Sequence, residues 1–468
     1  MTINRLLASL GLSLAASFPA FGANIVIFNG NAAGVGFNDP TPAAPVGGNP
    51  GTTLGQQRLN AFAYAASVWG AELQSDVDVN VLATMEPLTC STTSAVLGSA
   101  GPTTVIRDFG AVAGHWYHVA LANKLIGEDV IPGFAHIRAR FNSNLGKPTC
   151  LPGSPFYLGL DGNAGTAIDL VTVLLHEFGH GLGFSTVTNG LTGVYLSGFP
   201  SIYDNFAFDN TTGKFWNAMT PAERVASAVN ARNLVWTGAG VAAAAPSVLS
   251  AGTPQLEIKG SSDADGTYQV GVASFGPPIE RNSVNKQIMQ VVDQPNGTGL
   301  ACTPLDSTNA RAVKNRIALV DRGVCGFVVK AKMVQDAGAA GMIVVDNVAT
   351  TPPADLGGVD PTITIPSVRV TLADGTTIKA ALKHTPGGRS SGVVGRIGLD
   401  TSQLAGADKL GRVMLFSPNP FQSGSSVSHW DTSAFRNLLM EPFINADLTH
   451  SVKPPQDLTL PMLKDIGW

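Results

Sequence analysis

The residues with the clearest chemical signature are His176, Glu177 and His180, which form an HExxH pattern within the stretch LLHEFGHGLGF. Two histidines four residues apart lie on one face of a helix, where their imidazoles can share a cation. Zinc lowers the pKa of its bound water toward about 7, and a nearby carboxylate can pass that proton to a leaving amine. The pattern predicts a zinc metallopeptidase with His176 and His180 as metal ligands and Glu177 as general base and acid.

A third zinc ligand is expected, because a catalytic zinc site usually has three protein ligands and one open position. In the extended form of this motif, the third histidine follows three residues after a glycine. Here the glycine is Gly183, and the residue at the ligand position is Thr186, whose neutral hydroxyl is a poor zinc ligand. The remaining candidates lie further along the chain and are Asp204, Glu223, His429 and His450.

Three of these candidates have little support from their surroundings. The stretch around Asp204, SIYDNFAFD, lacks the glycine–threonine lead of aspartate-type sites. Glu223, in PAERVASAVNAR, lacks the downstream aspartate that would orient the first histidine in a thermolysin-like site. His450 lies in DLTHSV, which offers no supporting context. Each of them is nevertheless possible from the residues alone.

His429 differs from the other candidates because Met440 follows it in the stretch SHWDTSAFRNLLMEP. A single methionine is usually an ordinary core residue, but a histidine paired with a downstream methionine is more specific. Together with HEFGHGLGFS, this stretch resembles the leishmanolysin-like metzincins, in which a long insertion precedes the third histidine. The resemblance implies that His176, His180 and His429 bind zinc, and that Met440 lies in a turn beneath the metal.

The 249 positions that separate His180 from His429 must contain a domain whose ends lie close together, or the site could not close. Within this interval, RIALVDRGVCGFVVKAKMVQDAGAAGMIVVDN and ITIPSVRVTLADG predict a strand–helix–strand unit and a further strand. These stretches closely resemble the protease-associated (PA) domain over roughly residues 255–400. The resemblance implies a domain that binds or gates substrates beside a peptidase domain and carries no chemistry of its own.

The rest of the chain must supply the sheet and helices that position the motif. Hydrophobic periodicity predicts strand 24–29, helix 56–73, strand 76–85, strand 135–143 and helix 168–182, followed near the C-terminus by a helix in LTLPMLKDIGW. The predicted fold class is α+β: a metzincin-like zinc peptidase domain, with a twisted sheet and an active-site helix, interrupted by a β-rich α/β PA domain. The predicted parts are signal peptide 1–23, peptidase domain 24–254, PA insertion 255–400 and second peptidase part 401–468.

The N-terminus and the composition predict an exported protein. Arg5 precedes an apolar run and then small residues, as in a secretory signal peptide. Charged residues make up only 13% of the chain and the net charge is −4, so a basic surface for nucleic acid is not expected. No later apolar run reaches the roughly 20 residues of a membrane helix. We therefore expect a secreted or extracellular protein without a membrane span, with the periplasm as another possible location.

The four cysteines predict two disulfide bonds, because an even number of cysteines in an exported chain favours disulfides over free thiols. Four cysteines allow three pairings. Closeness along the sequence favours Cys90–Cys150 and Cys302–Cys325.

The expected activity is that of a secreted endopeptidase that hydrolyses protein or peptide substrates with a zinc-activated water. A single zinc ion is the expected cofactor. Asp161 and Asp169, which precede the motif helix, could bind calcium, although a turn and a helix N-cap explain them better. Two alternatives remain: an exopeptidase whose cleft the PA domain restricts, and an exported binding or adhesion protein with an inactive peptidase fold.

Overall fold

The computed structural model describes residues 22–110, 112–382, 390–445 and 447–468. The predicted signal peptide, residues 1–23, lies outside this description except for its last two residues. Of these, Ala23 is buried and donates its backbone N–H to the carbonyl of Leu73 at 2.9 Å. Within the described ranges, no helix combines the length and apolarity needed to cross a membrane.

Two units can be distinguished by their sheets: a main unit, residues 22–250 and 405–468, and an inserted unit, residues 251–404. The strands of the main unit are β1 (Ile25–Asn29), β2 (Val79–Glu86), β3 (Gly98–Pro102), β4 (Val105–Ile106), β5 (Tyr117–His118), β6 (Ile137–Asn142), β7 (Phe156–Tyr157), β8 (Ile168–Asp169), β9 (Ala207–Asp209), β10 (Lys214–Phe215) and β11 (Leu234–Trp236). Its helices before the insertion are α1 (Leu54–Glu72), α2 (Val119–Ile126), α3 (Leu170–Leu182), α4 (Pro221–Ser227) and α5 (Ala239–Val248). Each element predicted in this part is present, with ends shifted by at most three residues.

The central sheet of the main unit has the strand order β1-β2-β6-β3, with β1, β2 and β6 parallel and β3 antiparallel at the edge. Residues of β2 alternate between buried and more accessible, as expected for a strand with one face on the core. Helices α1 and α3 pack together, and the indole N–H of Trp69 donates to the carbonyl of Leu175 at 3.1 Å. Phe62 of α1 contacts both α3 and the sheet, with its ring 6.2 Å from that of Phe178 and 5.0 Å from that of Phe141. This packing places α3 directly beside the edge strand β3.

The inserted unit is built on an eight-stranded sheet. Its elements are β12 (Ala251–Lys259), β13 (Gly266–Gln269), β14 (Gly271–Val272), β15 (Val284–Gln290), α6 (Ser307–Val313), β16 (Ile317–Asp321), α7 (Phe327–Asp336), β17 (Gly341–Val345), β18 (Ser367–Val370), α8 (Leu372–Leu382) and β19 (Val394–Leu404). The strand order is β13-β12-β19-β15-β16-β17-β18-β14, and the predicted strand–helix–strand unit is β16–α7–β17. Because β12 and β19 are antiparallel neighbours, the chain enters and leaves this unit side by side.

The buried residues of β16 alternate between two hydrophobic clusters, one on each face of the sheet. Ile317 and Leu319 belong to one cluster, and Ala318 and Val320 belong to the other. Burial on both faces explains why this strand reads as a continuous apolar run rather than an alternating one.

Both predicted disulfides are present, one in each unit: Cys90–Cys150 and Cys302–Cys325. The described residues contain no free cysteine.

After the insertion, the chain returns to the main unit beside β11, where Leu415 donates its N–H to the carbonyl of Leu234 at 2.8 Å. The last helix, α9 (Thr459–Asp465), packs on α5. The carboxylate of Asp465 accepts the indole N–H of Trp236 at 3.0 Å and the backbone N–H of Gly240 at 2.6 Å. The C-terminal segment thereby closes the core beneath α3.

Candidate metal centre

Three imidazoles converge in the main unit. His176 and His180 lie on one face of α3, with their Nε2 atoms 3.1 Å apart. The Nε2 atom of His429 lies 3.2 Å from each of them. All three residues are at least nine-tenths buried. The structure thus brings together the three histidines that the sequence resemblance implied.

Backbone carbonyl groups fix the other nitrogen of each ring. The Nδ1 atoms of His176, His180 and His429 lie 2.7, 2.8 and 2.9 Å from the carbonyl oxygens of Leu439, Phe184 and Ser425, respectively. A carbonyl oxygen can only accept, so each Nδ1 carries the hydrogen and each Nε2 presents a lone pair to the common centre. Metal-binding histidines are typically oriented in this way.

The electrostatics of the site keep the three rings neutral. Burial lowers the pKa of His176 to about 4, and burial together with the neighbouring His176 lowers the pKa of His180 to about 3. Burial and the two neighbouring histidines also place the pKa of His429 well below its ordinary range. Three neutral rings that turn lone pairs toward one another are complementary to a cation.

The spacing of the nitrogens fits zinc. Zinc bound at 2.0–2.1 Å in tetrahedral geometry places its nitrogen ligands about 3.3 Å apart. The three Nε2 atoms are separated by 3.1–3.2 Å. The donor set is also suitable, since neutral imidazole is a favoured zinc ligand. In the described part of the chain, this is the one group of three or more His, Cys, Asp or Glu side chains that converges closely enough to hold a metal.

Glu177 is a residue of α3, and its side chain faces the edge strand β3. Its side chain is so close to Gly98 that a Cβ atom at that position would lie 3.0 Å from its Cγ. Burial raises the pKa of Glu177 to about 8, against the opposing effect of a hydrogen bond from the backbone of Ala100. A cation held by the three nitrogens would lower this pKa again. Burial therefore favours the protonated form of this carboxyl group, and a bound cation would favour the carboxylate.

Met440 packs beneath the motif helix. A Cβ atom at Gly179 would lie 2.8 Å from the sulfur of Met440, so the glycine allows this close approach. The carbonyl of Met440 accepts the N–H of Trp430 at 2.8 Å, which links it to the residue after His429. A glycine within a helical pattern often marks a place where another residue packs closely against the helix. Gly179 was therefore a signal in the sequence for such a contact.

His429 belongs to an irregular stretch, residues 427–431, which we call the ligand segment. The segment pairs with Phe416, whose N–H donates to the carbonyl of His429 at 2.8 Å and whose carbonyl accepts the N–H of Val427 at 2.7 Å. Val427 has a φ of 73°, an unfavourable conformation for a β-branched residue, and the hydroxyl of Tyr203 donates to its carbonyl at 2.7 Å. Such conformations cluster at functional sites, where the surroundings hold them in place.

Thr186 and Asp204, two of the other candidates for the third ligand, are bonded to each other. The hydroxyl of Thr186 donates to the carboxylate of Asp204 at 2.6 Å, as does the hydroxyl of Thr188, also at 2.6 Å. The backbone N–H of Ser201 donates to the same carboxylate at 2.8 Å. This buried group fixes the loop that leaves α3, and neither candidate belongs to the group of converging ligands.

His450 and Glu223 also lie outside the cluster. The Nε2 atom of His450 is 3.0 Å from the carboxylate of Asp169, which also caps α3 by accepting the N–H of Thr172 at 2.7 Å. Glu223 is in the first turn of α4, where it forms a capping box with Thr220 and an ion pair with Lys214.

The calcium interpretation gains no support from the geometry. Asp161 accepts hydrogen bonds from the hydroxyl of Tyr157 at 2.7 Å and from the backbone of Asn163 at 3.1 Å, as in a turn. Asp169 serves as the helix N-cap, and the two carboxylates do not belong to a converging group among the described residues.

The cluster opens into a cleft of about 1410 Å³. Its walls include the stretch 95–100, residues of the loop 160–169, the face of α3 that carries the histidines, and the stretches 441–445 and 448–450. No described residue of the inserted unit lines this cleft. Two parts of the site were not predictable from the sequence: the edge strand β3, because its sequence GSAGP is typical of a turn, and the backbone carbonyls that orient the histidines.

One part of the chain matches a known protein family. The model of the PA domain family matches residues 287–378. The chain contains a PA domain. The inserted unit carries the matching residues, in agreement with the sequence resemblance.

The matched proteins share only part of their length with this chain. Vacuolar-sorting receptor 2 of Arabidopsis thaliana is 30% identical over 143 residues, which cover 28% of this chain and 22% of that protein. Human ER degradation-enhancing alpha-mannosidase-like protein 3 is 38% identical over 77 residues, 16% of this chain and 8% of that protein. The chain therefore spans less than a quarter of the length of these relatives.

Parts of two solved structures are similar to about a third of this chain. An aminopeptidase from Aneurinibacillus sp. strain AM-1 is 19% identical, with a TM-score of 0.25, over 33% of this chain and 31% of that one. The zinc aminopeptidase BSAP from Bacillus subtilis is also 19% identical, with a TM-score of 0.22, over 34% of this chain and 36% of that one.

Proposed function

We propose that the chain is a zinc-dependent endopeptidase of the metzincin type, with His176, His180 and His429 as metal ligands and Glu177 as general base and acid. The observation that carries the proposal is the convergence of three Nε2 lone pairs with a spacing of 3.1–3.2 Å. A site of three imidazoles leaves a fourth position open, as in catalytic rather than structural zinc sites.

The chemistry follows from the groups around that open position. A zinc ion, when bound, would acidify water and polarise a substrate carbonyl. Glu177 is beside the first ligand, in a buried environment that raises its pKa to about 8. It can therefore accept a proton from the attacking water and deliver it to the leaving nitrogen. A general acid–base group of this kind typically contributes about 10²–10⁴-fold to the rate.

The edge strand β3 supports a peptide as the substrate. It pairs with β6 on one side only, and Gly98, Ser99 and Ala100 line the cleft. An unpaired strand edge can bind an extended peptide by adding it to the sheet as a further strand. Such a peptide would run along the cleft past Glu177. Because no described residue of the inserted unit lines the cleft, cleavage within a chain is favoured over removal of terminal residues.

Export is part of the same proposal. The predicted signal peptide and the two disulfides, Cys90–Cys150 and Cys302–Cys325, are consistent with an oxidising compartment outside the cytoplasm. We propose that the enzyme acts on proteins or peptides in that compartment.

The zinc-loaded protein should cut an unfolded protein substrate and a peptide blocked at both ends, producing internal fragments. Glu177→Gln should lower turnover by about 10²–10⁴-fold while zinc remains bound, because the substitution removes the base but no ligand. Mass spectrometry of the products and metal analysis of both proteins measure these outcomes. Glu223→Gln, at a partly exposed carboxylate outside the cleft, is the matched control and should retain activity.

Other outcomes would identify the alternatives. A ladder of terminally shortened peptides, with the blocked peptide left intact, would indicate an exopeptidase. Zinc binding without any cleavage would indicate a binding protein with an inactive peptidase fold. Undiminished hydrolysis by Glu177→Gln would exclude Glu177 as the base.

A further inference from the structure

Arg232 is an arginine in an unusual backbone conformation. It precedes β11 and has a φ of 62°, in the left-handed region that non-glycine residues rarely adopt. Its side chain is only 9% exposed. An arginine that is both conformationally restrained and buried is held there by its surroundings, and such positions often have a functional reason.

The charged partner of Arg232 is Asp431, the last residue of the ligand segment. The Nε atom of Arg232 lies 3.7 Å from the carboxylate of Asp431, whose side chain is fully buried. Neither this Nε nor the second carboxylate oxygen has a hydrogen-bond partner within the described residues. The charges therefore depend on each other, because a buried charge without a counter-charge is strongly unfavourable.

Asp431 fixes the end of the ligand segment. It donates its N–H to the carbonyl of Met414 at 3.0 Å and accepts the N–H of Ser433 on its carboxylate at 2.9 Å. His429 is only two residues away in the same segment. A shift of Asp431 would consequently shift the imidazole that completes the cluster.

Arg232 also contacts the inserted unit, since its Nη2 donates to the carbonyl of Val270 at 3.4 Å. A second contact joins the same regions: Thr351 and Asn419 exchange backbone hydrogen bonds of 2.9 and 2.7 Å. Asn419 lies upstream of Ser425, whose carbonyl accepts the Nδ1–H of His429. The inserted unit thus contacts Arg232, the ion-pair partner of Asp431, and Asn419, which lies ten residues before His429.

We propose that Arg232 is a positioning residue, which couples the docking of the PA domain to the placement of His429 and so to the affinity for zinc. The inference rests on the proposed function, because it requires that the three histidines bind the metal. The PA domain would then contribute to the site from behind the ligand segment, by holding a metal ligand in register, rather than from the cleft.

Arg232→Met tests the inference in the full-length protein, with zinc affinity measured by competition with a chelator. We expect the affinity to fall about tenfold, the lower end of the 10–100-fold range for groups that orient metal ligands. Arg232→Lys keeps the charge and should recover most of this loss.

Arg412→Met is the matched control. Arg412 pairs with Asp408 at 2.9 Å, and its side chain is 20% exposed, but the pair lies outside the ligand segment. Both methionine variants should lose some thermal stability in the zinc-free form, whereas only Arg232→Met should lose zinc affinity. The double variant Arg232→Met/Asp431→Asn also removes the charge of Asp431, which the single variant leaves without Arg232. It replaces Arg232→Met in the zinc measurement if the single variant does not fold.

The outcomes separate this inference from the function on which it rests. If the wild type binds zinc and the Arg232 variants bind it as tightly as Arg412→Met does, the positioning role is refuted and the metal site stands. If the wild type itself does not bind zinc, the proposed function fails first. Weakened binding in Arg232→Met with recovery in Arg232→Lys supports the inference.

Discussion

The two units each contain a buried cluster of ionisable groups, but only one of them is satisfied internally. In the inserted unit, the carboxylate of Asp346 accepts hydrogen bonds from Arg369 and from Arg322, each at 2.8 Å. Burial pushes the pKa of Asp346 upward, and the bonds and charges of the two arginines outweigh it, so that its pKa is lowered. In the main unit, the Nε2 atoms of the three histidines face each other, and each is an acceptor because the Nδ1 of its ring carries the hydrogen.

This difference separates a structural cluster from a binding site. Buried polar groups are nearly always paired, so a cluster whose partners are all present needs nothing further. Three converging acceptors lack the positive charge that Asp346 receives from its arginines. A metal ion would supply that charge. The comparison therefore predicts that mutation of the Asp346 cluster lowers the free energy of unfolding, whereas mutation of the histidine cluster lowers the affinity for zinc.

The largest stability effect is expected at Asp346. Asp346→Asn leaves Arg369, which is 4% exposed, without its counter-charge. Removal of one partner from a buried ion pair typically costs about 3–5 kcal/mol of unfolding free energy. Urea denaturation should show this loss, and zinc affinity should be unchanged because the pair lies away from the histidines.

Replacement of both partners refines this prediction. Asp346→Leu combined with Arg369→Met should recover much of the stability, because no buried charge is then left without a partner. Arg322, which also pairs with Asp346, is 37% exposed, so water can solvate its charge. If the double variant were as unstable as Asp346→Asn, the charge imbalance would not be the cause. A loss of zinc by Asp346→Asn would contradict the separation of the two clusters.

A smaller effect is expected at His118, a buried imidazole of the main unit outside the metal cluster. Burial lowers its pKa to about 4, against the opposing effect of the backbone of Gly181 and His180. As pH falls below the ordinary value of about 6.5, the unfolded chain binds a proton before the folded chain does. The stabilisation is complete above that value and is lost toward pH 4. Between pH 7 and pH 5, the loss from this group is about 2 kcal/mol.

Comparison of two variants in the presence of a chelator isolates the contribution of His118 to the pH dependence of the unfolding free energy. Between pH 7 and pH 5, the unfolding free energy of His118→Gln should fall by about 2 kcal/mol less than that of the wild type, as measured by urea denaturation. His115→Gln, at a partly exposed ring that contacts Asn205, should behave like the wild type. Equal losses in all three proteins would show that His118 is not held neutral.

Local sequence was sufficient to predict the motif helix. The spacing of His176 and His180, the N-cap Asp169 and the terminating Gly183 all lie within one short stretch, and helical geometry alone places the two rings together. The strand–helix–strand core of the PA domain was predictable for a similar reason, because its strands are continuous apolar runs.

The third ligand could not be derived from local patterns. His429 approaches α3 because the ligand segment pairs with Phe416, and because neighbouring residues pair with β11, far away in sequence. Only the resemblance of its surroundings favoured it over His450. Arg232 gave no signal at all, since its restrained backbone and its contacts on two units exist only in the folded chain.

The central claim is that His429, rather than His450, completes a zinc site, and metal stoichiometry tests it most directly. The wild type should bind one zinc ion per chain. His429→Ala should lose tight zinc binding, whereas His450→Ala, which disrupts the contacts with Asp169 and with the ring of Tyr64, should retain it. Retention of zinc by His429→Ala, together with its loss from His450→Ala, would contradict the account.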